Sequence, residues 1–289
     1  MLNLLFKKLK FFLGQIKLLN KHCLNLNFLT SFIIYLYVRI NRNKLNSVTQ
    51  INKNNDLFED RVDELAEYLG YSREKVLDIP RNLYDCFPDI SNDKELFKSY
   101  YTAKEVYLAV LMLHYTRYDR AYRLIKFYDF IRNKGRKSST KILDYGCGAA
   151  DFGVVCALEG HNVTLCDIKG GNLEFARWRF EKRNLKYNTI EITEDNIYPD
   201  FGEFQLIIAG EVLEHLRNPL TAVENIYKSL GADGYLWLSD YPNVEKHLHG
   251  DHLPEAHSMR LNVLNFLNKN FQFIQTFPIK HGYLYRKKD

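Results

Sequence analysis

The stretch "KILDYGCGAADFGVVCALEGHNVTLCD", residues 141 to 167, decides the fold. "KILDYG" is a short apolar run with the spacing of a buried strand, and it ends on a glycine turn. The turn opens a helix through "CGAADFGVVCALEGH", and "NVTLCD" then reads as a second strand that ends on the acid Asp167. Two apolar strands joined by one crossover helix form a parallel unit. Gly146 and Gly148 let the backbone bend sharply and let a ligand lie against it. Asp144 adds a carboxylate beside that approach, suited to a cationic amino group, and Asp167 is placed to accept two ribose hydroxyls. A glycine turn taken alone would equally serve a nicotinamide cofactor.

The same alternation continues outward. "NLEFARWRFEKRN" reads as a helix, "NTIEIT" and "FQLIIA" as strands, "EVLEHLRNPLTAVENIYKSL" as one helix and "GYLWLSD" as a further strand. The fold class is therefore α/β, a doubly wound parallel sheet that binds ligands beyond the carboxyl ends of its strands. The tail, "FQFIQTFPI" and then "HGYLYRKK", reads as two more strands across a tight turn. A closing antiparallel pair departs from the dinucleotide-binding arrangement.

Upstream, residues 56 to 135 read as helical. "FEDRVDELAEYLGYSREKVLDIP" places Val62, Leu65, Ala66 and Leu69 on one face, with Gly70 as a stop and Ser72 as the next N-cap. That half resembles the start of a helix-turn-helix, but no basic recognition helix follows. "KEVYLAVLMLHYTRYDRAYRLIKFYDFI" reads as one long aromatic-rich helix, and Tyr100 and Tyr101 just before it could close over a cofactor or simply pack.

Residues 1 to 55 hold nine Lys/Arg and no acid, whereas the remainder holds 31 basic against 35 acidic residues, a balance of −4. That body charge argues against a nucleic-acid partner. Within the first twenty residues Leu2, Leu5, Leu9, Phe12, Ile16 and Leu19 recur at helical spacing, with lysines between them. Such a basic amphipathic segment suits peripheral contact with an anionic membrane through residues 1 to 40. The apolar run at 28 to 38 is short of the ~20 residues that a span requires. Five cysteines, odd in number and without CxxC spacing, point to reduced thiols in a cytoplasmic compartment, with or without membrane association.

"LDYGCG", Asp167, "EDN" after the third strand and "GEVLEHLRNP" after the fourth together resemble class I S-adenosylmethionine-dependent methyltransferases. The resemblance covers about residues 138 to 289. It implies a seven-stranded sheet with an antiparallel last strand. It also implies roles toward S-adenosylmethionine: Gly146 and Gly148 along the cofactor, Asp144 near its methionine amine, Asp167 on the ribose, Asp195 near the adenine amine and Gly210 at the methionine end. Two positions depart from the pattern. Ala150 stands at the third glycine of the turn, and Gln205 stands where the fourth strand usually carries Asp.

Methyl transfer from a sulfonium is an in-line displacement, so the protein must align donor and acceptor and, for a hydroxyl, remove its proton. Glu211 and Glu214, three apart in the expected helix, would share a face with His215 beside it. The later loop "EKHLHGDHLPEAH" carries His247, His249, His252 and His257 and should bring His252 back to the same sheet edge. Glu211, Glu214, His215 and His252 make a mixed oxygen and nitrogen set for Mg²⁺, Mn²⁺, Fe²⁺ or Zn²⁺. "EVLEH" with a later "DH" is similar to the ubiquinone-pathway O-methyltransferases and to the small-RNA 3′-terminal 2′-O-methyltransferases. Both imply a metal that holds vicinal oxygens. The metal-free competitor uses His215 or His252 as the base.

The expected organisation is a basic segment at 1–55, a helical cap and substrate region at 56–135, and an S-adenosylmethionine-binding domain at 136–289. The expected activity is O-methylation of a small-molecule, glycan or lipid-linked acceptor. An RNA 2′-O-methyltransferase and a non-catalytic cofactor-binding protein are the alternatives.

Overall fold

The computed structural model describes residues 36–38, 40–41, 57–80, 86–87, 91–114, 118–134, 139–239, 241, 252–277 and 282–288. Nearly all of the basic head, together with His247 and His249, lies outside the described residues.

The core is a seven-stranded sheet made of β1 (Lys141–Tyr145), β2 (Asn162–Ile168), β3 (Asn188–Ile192), β4 (Phe204–Gly210), β5 (Leu230–Ser239), β6 (Phe271–Phe277) and β7 (Gly282–Lys287). Their order is β3-β2-β1-β4-β5-β7-β6, with the first five parallel and β7 antiparallel to both of its neighbours. The switch of direction between β1 and β4 opens a crevice at their carboxyl ends. This is the doubly wound sheet expected from the strand pattern. Gln205, at the start of β4, accepts the Lys141 amide at 2.9 Å and so ties β4 to β1.

Because successive side chains alternate, Ile142 and Ile208 face one layer while Leu143, Tyr145, Ile207 and Ala209 face the other. The first layer is filled by helices α5 (Tyr118–Lys134), α6 (Asp151–Leu158) and α7 (Gly171–Lys182). There Trp237 of β5, fully buried, meets the Phe127 ring edge-on at 4.8 Å. Burying such a ring contributes ~1.5–3 kcal/mol. The second layer holds α3 (Asp93–Thr102), α8 (Pro219–Ser229), α9 (Pro254–Ser258) and α10 (Arg260–Asn270). A third cluster joins α1 (Leu57–Leu69), α2 (Arg73–Asp78) and α4 (Lys104–His114) to Ala149 and Phe175. Gly70 ends α1 at φ +66°, and the Ser72 hydroxyl accepts the Lys75 amide at 3.2 Å, which are the stop and the cap marked in the sequence.

The stretch read as one helix over 104–131 is helical in α4 and α5, and residues 115–117 between them lie outside the described residues. One helical expectation needs correction: residues 211–230 do not form one helix. Asn218 caps α8 by accepting the Thr221 amide at 3.1 Å, and Pro219 occupies the first turn. Ahead of it lies only a 3₁₀ turn, Leu213–His215.

Candidate active site

Beyond β1 the chain turns back on itself, and the amides of Gly146 and Cys147 donate to the Cys166 carbonyl at 2.7 and 3.0 Å. Gly146 sits at φ +64°, and a Cβ there would lie 2.3 Å from Val212 Cγ2, so only glycine fits. Gly148 and Ala150 are also left-handed, at φ +52° and +56°. Ala150 is therefore strained, because an L residue resists that conformation.

Asp167 closes the turn from the next strand. Its Oδ2 accepts the Gly148 amide at 2.7 Å and its Oδ1 accepts the Ile168 amide at 2.7 Å. Burial pushes this carboxyl up to about 6, against the pull of those two amides, of His215 and of the Cys147 side chain. A carboxylate has about four lone-pair sites, so with the two amides and the Cys147 side chain in place one remains for a further donor. Asp144 lies on the α6 side of the turn, 3% exposed, with Oδ2 accepting the Gly153 amide at 2.9 Å. Burial pushes it up to about 8, so at neutral pH it is mostly protonated. Gly210 ends β4 opposite Ser239, and Asp195 sits exposed in the short turn after β3.

The helices before the sheet cover this turn. Leu111 of α4 lies over Gly148, Lys104 over Gly171, and Tyr101 of α3, 46% exposed, over Gly170. Lys104 is tied down by Glu174 at 2.9 Å. Tyr100 instead packs edge-on with Phe87 and Tyr107. Of the two tyrosines, Tyr101 reaches the cleft loops.

Across the crevice Glu214, His215 and His252 come together, each offering a ligand atom within 4.8 Å of the others. Glu214 is buried, and the two imidazoles are half-buried with ring centroids 5.0 Å apart. The Leu253 amide donates to the Glu214 carbonyl at 2.9 Å, which pins the second loop to the first. Val212, at the head of the 3₁₀ turn that carries Glu214 and His215, lies against Gly146, so the histidine group and the glycine turn sit side by side at the β1–β4 edge.

Glu211 is not brought into this group. It sits at φ +59°, not in a helix, and its carboxylate pairs with Arg120 and with Arg123, the latter at 3.0 Å, both from α5. The shared helix face expected for Glu211 and Glu214 does not form, because the chain enters the 3₁₀ turn from a left-handed residue. Arg217 was missed by sequence reasoning. It binds Asp93 of α3 at 3.1 Å and also Glu255 of α9, and so gathers three segments around the group. No local spacing signals such a long-range clasp.

Among curated proteins, residues of this chain are 29% identical over 109 positions to the ubiquinone biosynthesis O-methyltransferase of Rickettsia akari (strain Hartford), covering 38% of this chain and 43% of that protein. The corresponding enzyme of Actinobacillus pleuropneumoniae serotype 7 (strain AP76) is 32% identical over 117 residues, covering 38% and 50%. The chain spans about half the length, or somewhat less, of the curated relatives it matches. Among solved structures, the N-methyltransferase NodS of Bradyrhizobium japonicum WM9 with S-adenosyl-L-homocysteine is similar at a TM-score of 0.44 and 17% identity, over 59% of this chain and 88% of that one. The family model described as "Methyltransferase domain" matches residues 115–281, more than half of the chain, and the chain belongs to that family.

Proposed function

We propose that the chain transfers a methyl group from S-adenosylmethionine to an oxygen of a small-molecule acceptor, with a divalent ion at Glu214, His215 and His252. The observation that carries this reading is the convergence of those three side chains beside the glycine turn that Val212 meets at Gly146. The relatives' names, ubiquinone biosynthesis O-methyltransferases, support an oxygen acceptor.

The residues present fit the donor. The turn is one that only glycine can make at Gly146, and Asp167 keeps a lone pair for a ribose hydroxyl. The donor supplies an electrophilic methyl on a sulfonium. Within the chain, Gly146 and Gly148 let backbone lie against it, and Gly210 and Asp195 flank its methionine and adenine ends. Asp144, expected at the amine, is instead buried and mostly protonated on the α6 side, where it holds the turn through the Gly153 amide. The helices that carry Tyr101, Lys104 and Leu111 would exclude water and choose the acceptor.

The three-residue group also fits a divalent ion, since one carboxylate and two imidazoles suit a borderline cation. When bound there, such an ion would lower the pKa of an acceptor hydroxyl. Glu214, buried, would fix the ion's position, while His215 and His252, partly open, would face the acceptor. A lipid-linked or glycan acceptor met at a membrane surface from the cytoplasmic side is the finer part of the proposal. It draws on the basic segment at 1–40. Among the described residues no helix is long and apolar enough to cross a membrane.

The test is calorimetry with S-adenosylmethionine, followed by methyl transfer to catechols, sugars, lipids and short RNAs with and without a chelator. Donor binding that Asp167→Ala weakens tenfold or more, with chelator-sensitive turnover on a catechol or lipid, is the expected result. Absence of donor binding would overturn the reading. Chelator-insensitive turnover would remove the ion and leave His215 or His252 as the base.

A further inference from the structure

Five charged side chains are sealed between α1, α6 and α7, each 2% exposed or less: Arg61, Glu64, Asp151, Arg179 and Arg183. Arg61 Nη2 and Arg179 Nη1 both reach Asp151 Oδ1, at 2.7 and 2.9 Å. Arg179 also donates to the Ala149 carbonyl. Glu64 holds Arg179 from behind at 3.2 Å and Arg183 at 2.6 Å, and Arg61 donates to the Met112 carbonyl at 3.3 Å. Burying such a cluster costs more than packing apolar side chains in the same space, so stability is a weak reason for keeping it.

Its geometry suggests a better reason. Arg179 grips Ala149 on one side of the left-handed Ala150 and Asp151 on the other, and Arg61 grips Asp151 as well. Two residues upstream of Ala150, the Gly148 amide is aimed at Asp167. A clamp on both flanks of the strained residue therefore holds the turn that carries the proposed ribose contact.

We infer that α1 is a positioning element for the methyl donor. Arg61, through Asp151, and Glu64, through Arg179, keep Ala150 left-handed and so preset the turn on which the donor rests. This rests on the proposed function, since the turn must be the donor's seat. Acting through the backbone, these are positioning residues and touch no substrate.

The experiment measures affinity for S-adenosylhomocysteine by calorimetry, well below each variant's Tm, and the dependence of turnover on donor concentration. Arg61→Gln should weaken donor binding about tenfold and raise the donor KM similarly, with kcat at saturating donor reduced less than twofold. Adding Ala150→Gly should recover most of that loss, because glycine takes the left-handed conformation unaided. If Arg61→Gln does not fold, Arg61→Lys carries the same test with about a threefold effect. Hydrogen exchange of amides 146–150 should rise in parallel. A lowered Tm with unchanged donor affinity, or no recovery by glycine, would overturn the clamp. A wild-type chain that fails to bind donor at all would instead overturn the proposed function, and the clamp's role with it.

Discussion

At pH 8 and above, replacing Asp144 by asparagine should stabilise the protein. The side chain is 3% exposed, and an amide oxygen can still accept the Gly153 amide that Oδ2 accepts now. Burial raises the carboxyl from an ordinary 3.8 to about 8, although the Gly153 amide pulls the other way. Between those two values the native state keeps a proton that the unfolded chain has released. Stability from this group is therefore fully present below about pH 4, and it falls as pH rises toward 8. At ~1.4 kcal/mol for each pH step, wild type loses on the order of 4 kcal/mol between pH 5 and pH 8 that Asp144→Asn does not lose. Asp167, raised to about 6, has the same sign over a narrower window. Glu64 and Asp151 have the opposite sign. Burial would raise them, but the guanidiniums beside them outweigh it and hold both below the usual range, so their contribution is lost in acid. All three are common to both proteins and cancel in the difference. Urea denaturation followed by the fluorescence of Trp178 and Trp237 from pH 5 to 9 measures it. Parallel stability curves for the two proteins would refute the reasoning.

Glu211→Gln should leave Mn²⁺ affinity within twofold, whereas Glu214→Gln or His252→Ala should weaken it more than tenfold, as read by calorimetry. Equal losses from Glu211 and Glu214 would put Glu211 back among the ligands. Gly146→Ala forces both a left-handed alanine and an overlap with Val212, and it should cost about 1–3 kcal/mol in thermal denaturation. Val212→Ala in the same chain should relieve part of that cost, and no relief would mean that the overlap is not its source.

The sheet was legible because its central strands are nearly continuous apolar runs and its first turn is marked by Gly146, which no other residue replaces. The stop at Gly70 and the cap at Ser72 were legible for a similar local reason. Glu211 was misread because periodicity assumes helical backbone throughout, and one left-handed residue ahead of Leu213 removes the shared face. Asn218 followed by Pro219 was the signal that the helix begins later. The pairing of Arg61 with Asp151, ninety positions apart, left no such mark. Nor did that of Arg217 with Asp93. Ala150 was visible as a departure from glycine, but its strain and what holds it are properties of three dimensions.

The misread residues have one thing in common. Two loops at the carboxyl edge that matter to the proposed chemistry, those after β1 and β4, are held by guanidinium groups. Arg61 and Arg179 hold the turn after β1, Arg120 and Arg123 hold Glu211 just after β4, and Arg217 joins that same loop to α3 and α9. Arg61, Arg120 and Arg123 come from helices that precede the sheet in sequence, and Arg217 reaches one of them. A backbone that must present amides and carboxylates at fixed positions cannot also optimise its own dihedrals, as Ala150 and Glu211 show. Delocalised, always-charged forks can hold it there, because each offers several donors at once and does not titrate away. On that logic the helices before the sheet are part of the site's construction and not a detachable cover.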